Sequence, residues 1–312
     1  MNQLFTLKNN HLTPLDSVPF ELEKEIQDII ENNTEELFGL KMVKSEFTVG
    51  DFRLDSLCFD EETKSFVIIE YKRDKSYSVI DQGYSYLSTM LNNKSDFVLE
   101  FNETLEDTLK RDQVDWSQSR IIFVSTSFSS YQKTSVNFKD VPFELWEISR
   151  FSDGIVSLNQ VSSTSKESIK SVGKEKGTVI KNVSEEIEVY DEDSHLNNVT
   201  NEVKDLYFEL KERVSNWEEV GFRYKKSHIS ILNKNKVKIY LVVQKNQIKI
   251  SLLRRIDFKG DVTSQKVIFN LKDPDNIFEL KKSSHKEQYE YSLINEKDLD
   301  YLVMLLKQKY ES

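Results

Sequence analysis

Three charged residues in one short stretch have the types and spacing to do chemistry: Asp55, then Glu70 and Lys72 fifteen and seventeen residues later. Two carboxylates and an ammonium are the groups that bind a hard divalent cation and stabilise charge growing on a phosphoryl oxygen. Gln82 and Tyr86 follow, four residues apart, the interval that puts two side chains on one face of a helix. Magnesium often takes only one or two protein carboxylates and completes its octahedron with water and phosphate, so Asp55 and Glu70 would suffice as ligands. The bland alternative is an ion-pair cluster, with Asp55 on Arg53 or Lys72 and Glu70 on Lys72. For Gln82 and Tyr86 it is an ordinary core aromatic beside a polar neighbour.

The elements that must position these groups can be read from hydrophobic period. Phe52 to Phe59 reads as a strand, Asp60 to Thr63 as a polar turn, and Phe66 to Tyr71 as a second strand apolar on both faces. Such a strand belongs in the middle of a covered sheet. Alternation places Glu70 and Lys72 on the same side of it, about 7 Å apart. Charges at the end of a buried strand must be paired, bound to metal, or used. After the polar run Arg73–Tyr77, a helix is expected over Ser78–Leu91. Upstream, Pro14 and Pro19 precede a helix from about Glu21 to Phe38, with Leu22, Ile26, Ile29, Ile30 and Leu37 as its apolar stripe and Gly39 as its cap. A strand over Val43–Val49 enters the Asp55 strand through a Gly50-Asp51 turn. Further strands are expected at 120–125 and 143–150, separated by a short segment around Tyr131–Phe138.

The pattern Asp55…Glu70-Tyr71-Lys72, followed by Gln82-x-x-x-Tyr86 on the next helix, resembles the PD-(D/E)xK nuclease superfamily. Leu54 stands where many members have proline. The expected element order, α-β-β-β-α-β with an added α-β, agrees with the core of that superfamily. The resemblance implies an α/β fold with a restriction-endonuclease-like αβββαβ core and a mixed sheet. It implies hydrolysis of phosphodiester bonds with Mg²⁺, or Mn²⁺, held by Asp55 and Glu70. Lys72 would stabilise charge or hold the attacking water, and Gln82 and Tyr86 would line the site. The superfamily often adds an acid from the first helix; matching LEKEIQDIIENN favours Glu23, with Glu25 and Glu31 as alternatives. A catalytically silent nucleic-acid-binding or regulatory protein on the same fold is the rival reading. The intact Asp55, Glu70 and Lys72 set speaks for the enzyme. DNA is expected ahead of RNA, and RNA stays an alternative because related folds occur in RNA-processing enzymes. Homodimerisation is left open.

At 312 residues the chain has room for two domains with cores of their own. Residues 1–157 hold the nuclease-like pattern, and 158–197, poor in large apolar residues, read as a polar linker. Residues 198–312 read as a smaller α+β domain: a helix near 199–214, strands at 228–232, 237–243 and 247–253, and a closing helix near 296–310. This region resembles a small domain of unassigned function that accompanies such nuclease domains in bacterial proteins. Net charge is −10, but unevenly divided: residues 1–150 carry 16 basic and 27 acidic groups, and residues 201–312 carry 22 and 17. Between Glu219 and Asp257 there are ten basic residues and no acid. Lys234, Lys236 and Lys238 alternate with Val237 and Ile239, so one strand face is basic. Such a face can bind phosphates, or can serve only to keep a sheet edge soluble.

Other classes are disfavoured. Charged residues make up 31% of the chain and the mean hydropathy is −0.54. No apolar run approaches the ~20 residues that span a bilayer, and the start, MNQLFTLKNN, lacks the basic and apolar regions of a signal peptide. The lone cysteine, Cys58, can form no internal disulfide. A cytoplasmic protein without a membrane partner is therefore expected. Four histidines, at 11, 195, 228 and 285, have no zinc spacing.

Overall fold

The computed structural model describes residues 4–72, 78–161, 165, 167–169, 178–256, 268–282 and 286–312. The chain divides into two units, Met1–Val189 and Tyr190–Ser312.

The first unit opens with a hairpin, β1 (Phe5–Lys8) and β2 (His11–Pro14), and a short β3 (Ser17–Val18). Two helices follow, α1 (Glu23–Glu31) and α2 (Thr34–Phe38), where period alone suggests one. The break falls at Asn32-Asn33, whose side-chain amides donate to the carbonyls of Asp28 and Ile29 at 2.7 Å each. Asparagine competes in this way for the helix's own acceptors. Gly39 closes α2 at φ +68°, a conformation that costs glycine little.

The centre of the unit is a mixed sheet. Strands β4 (Lys41–Val49), β5 (Phe52–Asp60) and β6 (Ser65–Lys72) form an antiparallel meander. Two helices then follow, α3 (Val79–Asn92) and α4 (Lys94–Leu105). Strand β7 (Arg120–Ser125) lies parallel to β6. After α5 (Ser130–Ser135), β8 (Phe143–Phe151) lies parallel to β7, and β9 (Val156–Val161) returns antiparallel on β8. Every residue of β6 from Ser65 to Tyr71 is buried, as its two-sided apolar pattern requires. One face, with Cys58, Val67, Ile69 and Tyr71, packs on Ile26, Ile30 and Phe38 of α1 and α2. The other, with Leu57, Phe59, Phe66 and Ile68, packs on α3 and α4 through Ile80, Leu87, Met90, Phe97 and Phe101. Rings of Phe59, Phe66, Phe97 and Phe101 meet at centroid separations of 4.7–6.2 Å, the range in which aromatic pairs add to simple burial.

The reading of 158–197 as a linker needs correction. It contains the end of β9 and a helix, α6 (Thr178–Glu186), which lies against α3 and buries Val183; Ile187 just beyond it is also buried. A few apolar residues at helical spacing suffice when a packed face is waiting for them, and composition averaged over forty residues hides them.

The second unit begins with α7 (Glu192–Leu196) and α8 (Asn201–Ser215). Its sheet is antiparallel throughout, in the order β10 (Val220–Tyr224), β11 (Ile229–Asn233), β12 (Lys236–Gln244), β13 (Gln247–Ile256), β15 (Lys286–Leu293), β14 (Glu279–Lys282). The closing helix α9 (Leu299–Glu311) and α8 cover it with Leu302, Leu305, Leu306, Leu206, Tyr207 and Leu210. Strands β10, β14 and β15 escape the sequence reading because their polar and aromatic residues break clean alternation. Among the described residues no helix is long and apolar enough to cross a membrane.

Candidate active site

The geometry of the sheet explains where the charged residues meet. Strand β5 pairs with β6 only from Ser56 to Asp60; the residues before Ser56 pair with β4 alone. Asp55 stands where the two strands part. Its Oδ2 accepts the main-chain N–H of Tyr71 at 3.0 Å, in place of a ladder bond. Strand β6 carries Glu70 and Lys72 past that point to its end.

Helix α3 supplies the lid over this face. Its N-cap Ser78 accepts the N–H of Asp81 at 3.3 Å, which sets Gln82 on the first turn and Tyr86 on the second. The Gln82 amide donates to Glu70 Oε1 at 2.8 Å and reaches the Tyr86 hydroxyl at 2.8 Å. The Tyr86 hydroxyl lies 3.4 Å from the same Oε1, and Lys72 Nζ lies 2.8 Å from it. One oxygen of Glu70 thus faces three donors. Among the described residues the other, Oε2, is buried with no hydrogen-bond partner, and so is Gln82 Oε1. Glu70 is only 4% exposed. A buried carboxylate oxygen left bare is costly unless something fills its shell.

Asp55 stands in surroundings that resist its charge. Its pKa is pushed up to about 7, first by burial, then by the charge of Glu70, against the opposing help of the Tyr71 N–H and Lys72; Glu46 adds a smaller upward push. A buried carboxylate beside a second one makes with it a donor set for a cation. Asp55 and the bare Oε2 of Glu70 fit one hard divalent ion with a shell completed by water and phosphate oxygens. Among the described residues, no group of three or more His, Cys, Asp or Glu side chains is arranged to cage a metal. A two-carboxylate set is the arrangement these residues can make.

The first-helix acids behave differently from one another. Glu23 is exposed on the first turn of α1. Glu25 caps that helix, its Oε2 accepting the N–H groups of Glu21 and Leu22 at 2.6 and 3.1 Å, while its Oε1 meets Arg150 at 3.2 Å. These bonds hold its carboxyl below the usual range, the Leu22 bond most of all. Glu31 reaches the back of the site: its Oε1 accepts Ser56 Oγ at 2.6 Å and Gln27 Nε2 at 2.8 Å. Ser56 Oγ in turn lies 2.8 Å from the Tyr71 hydroxyl. Gln27, almost fully buried, lies 3.3 Å from both the Asp55 carbonyl oxygen and Glu46 Oε1. Of the three candidates, Glu31 is the one tied by these bonds to the residue beside Asp55. Gln27, Glu46 and Ser56 are missed by sequence reasoning. A polar residue one turn before Glu31 on the buried face of α1 is the only signal that could have pointed to Gln27.

The basic residues of the second unit are largely occupied. Lys234, in the β11–β12 turn at φ +55°, pairs with Glu219 at 3.5 Å. Lys238 is half-buried and donates to the Ser312 carbonyl at 2.9 Å; burial, then Lys236, lowers its pKa. Lys236 is exposed at the start of β12. Lys249 meets Glu290 at 2.9 Å and Arg254 meets Glu287 at 2.9 Å. Three basic residues of the interval without acids thus meet acids that lie outside it in the sequence.

Comparison with known proteins gives a family but no activity. No family model matches the chain. A protein of Haemophilus influenzae, described only as an uncharacterized protein, is 38% identical over 312 residues, 98% of each chain. The chain belongs to the same family as that protein. Solved structures with some likeness include a repair endonuclease from Pyrococcus abyssi (17% identity, 43% of this chain and 60% of that one, TM-score 0.22). An EndoMS–dsDNA complex matches at 17% identity (47% of this chain, 64% of that one, TM-score 0.24). SfsA of Pyrococcus furiosus with Ca²⁺ matches at 16% identity (44% and 61%, TM-score 0.23). This chain spans less than two thirds of each of those three chains, and TM-scores this low carry no argument.

Proposed function

We propose that the first unit is a divalent-metal-dependent nuclease hydrolysing phosphodiester bonds, with DNA ahead of RNA as substrate. The single observation that carries the reading is the buried Glu70, one oxygen held by Lys72 and Gln82 and the other with no hydrogen-bond partner among the described residues, beside an Asp55 whose ionisation is resisted by burial and by the charge of Glu70. The order of elements around it, with an antiparallel meander leading into parallel strands, supports a restriction-endonuclease-like core.

Asp55 and Glu70 would hold Mg²⁺ or Mn²⁺. Bound there, the ion supplies Lewis acidity, lowering the pKa of water and withdrawing charge from the phosphoryl group. The chain's own residues do the rest. Gln82 and Tyr86 fix the rotamer of Glu70 by bonding one oxygen, so that the other points away from them. Lys72 contributes a fixed positive charge beside the place where the phosphoryl oxygens become more negative, an interaction stronger in the transition state than before it. Glu31, Gln27 and Ser56 brace the Asp55 strand from the opposite face. On the second unit, the Lys234/Lys236/Lys238 set would contact phosphate only in competition with the contacts these side chains make within that unit.

The test is a calorimetric titration of wild type and Asp55→Ala with Mn²⁺, joined to cleavage assays on single- and double-stranded DNA and RNA. Binding by the wild type alone, with cation-dependent cleavage, is the expected result. Cation binding without cleavage of any substrate would favour the silent nucleic-acid-binding alternative, and no binding at all would remove the site.

A further inference from the structure

The β4–β5 hairpin ends beside the site and carries an aromatic ring that is partly exposed. Before Ser56, β5 leaves β6 and pairs only with β4, so the hairpin tip is a two-stranded projection. Gly50 makes its turn at φ +56°. Phe52, the first residue after the turn, is 37% exposed. Its ring meets Tyr86 edge to face, with centroids 5.7 Å apart and planes at 82°. Tyr86 itself reaches the Glu70 carboxylate, so Phe52 stands one ring away from the residues that would hold the cation. Arg53, next along, is 68% exposed and pairs with Glu46 at 2.5 Å. The opposing strand contributes Thr48, across from Arg53, and it too is exposed. The tip therefore offers one partly exposed ring, across from the buried Val49 and beside the exposed Arg53 and Thr48.

We infer that Phe52 is a stacking platform for a nucleobase next to the scissile phosphate, and that the enzyme acts where bases are unpaired: on single strands, flaps or frayed ends. This rests on the nuclease reading above. Every base has a π-face, so a lone ring accepts any of them, but a base can reach it only when it has left its own stack. A paired duplex keeps its faces covered, and its rigid backbone would bring a phosphate to Glu70 without bringing a base to Phe52. Tyr86 fixes the tilt of the ring from below, so the platform is preoriented at the site.

The experiment measures binding by fluorescence anisotropy with Ca²⁺ in place of Mg²⁺, using one labelled DNA oligonucleotide as a single strand and as a fully paired duplex. Wild type, Phe52→Leu and Phe52→Trp are compared, with kcat and KM then measured in Mg²⁺. Leucine keeps the apolar cover over Tyr86 and removes the π-face; tryptophan enlarges it. Wild type should prefer the single strand, Phe52→Leu should bind it about tenfold more weakly with the loss chiefly in KM, and Phe52→Trp should bind at least as well as wild type. The inference is overturned if Phe52→Leu matches wild type, if both variants lose affinity equally, or if wild type prefers the duplex. If wild type neither binds nor cleaves either form, the nuclease reading itself fails and this inference falls with it; cleavage by a wild type indistinguishable from Phe52→Leu sinks only the role of Phe52.

Discussion

The two units treat charge in opposite ways. In the second, Lys249, Arg254, Lys234 and Arg213 each find a carboxylate on a neighbouring strand, turn or helix position, mostly in contact with solvent. In the first, Glu70 is sunk between a sheet and a helix, next to a second acid, with Lys72, among the described residues, beside them. Surface pairs of the first kind contribute about 0–1 kcal/mol each and serve mainly solubility. A buried, under-compensated acid pair costs stability in the empty protein, and a fold retains such a cost where a ligand removes it. The position of a charge in the fold, more than its sign, separates a candidate site from a solvated face.

The sharpest way to break this contrast is at Glu70 and Lys72. Glu70→Gln and Lys72→Ala should each lower cleavage by about 10²-fold or more, since they remove a cation ligand and a transition-state charge. Circular dichroism should show both variants folded. Wild-type cleavage rates in either would place the chemistry elsewhere.

Next in size is the pH dependence of the cation-free protein. Asp55 has a folded pKa near 7 against an ordinary value of 3.8. The cost of ionising it in the fold is absent below pH 4, grows between pH 4 and 7, and is complete above 7. In the presence of chelator, the Asp55 contribution to Tm should therefore fall over that window, and Asp55→Asn should flatten the profile. Mn²⁺ should raise Tm by several degrees at pH 8 and far less at pH 5, where the proton competes with it. An Asp55→Asn protein with the same profile as wild type would mean that Asp55 is not the group concerned.

The second unit contains one test of whether buried, uncompensated charge always marks function. Lys309 is 9% exposed, with Nζ lying 4.7 Å from the ring centre of Phe269, and burial, then Lys238, pushes its pKa down to about 8. Its cost is full below pH 8 and fades as the pH rises toward 10.5. Lys309→Met should raise Tm at pH 7, by less than the cation raises it in the first unit, and should leave cation affinity unchanged. A drop in Tm would show that the ammonium is compensated by contacts outside those described.

The smallest effect is expected from Lys234/Lys236/Lys238→Ala. Because these side chains already make contacts within their own unit, the loss should amount to about one phosphate contact. A salt titration should then show the slope of log K flattening by about 0.9 on duplex DNA or 0.7 on single strands. A change three times as large would restore all three lysines to a nucleic-acid face.

Much of the first unit was legible because it depends on local periodicity. The two-sided apolar run Phe66–Tyr71 marks a central strand from any vantage, and the period of two then places Glu70 and Lys72 on one side of it. The four-residue interval from Gln82 to Tyr86 likewise sets both on one helix face, and the structure shows both reaching Glu70 Oε1. These relations follow from backbone geometry, which each residue carries with it. Other relations could be decided only by the folded chain. Composition hid helix α6, because its few apolar residues matter only when α3 is there to receive them. Glu46 and Gln27 join the neighbourhood of Asp55 through strand pairing and helix packing, which no spacing in the sequence encodes. The basic run from Arg223 to Arg255 looked unopposed because Glu219, Glu287 and Glu290 lie outside it in sequence yet beside it in the sheet. Periodicity determines which way a side chain points along its own element; only non-local pairing determines what it points at, and a charge takes its meaning from that.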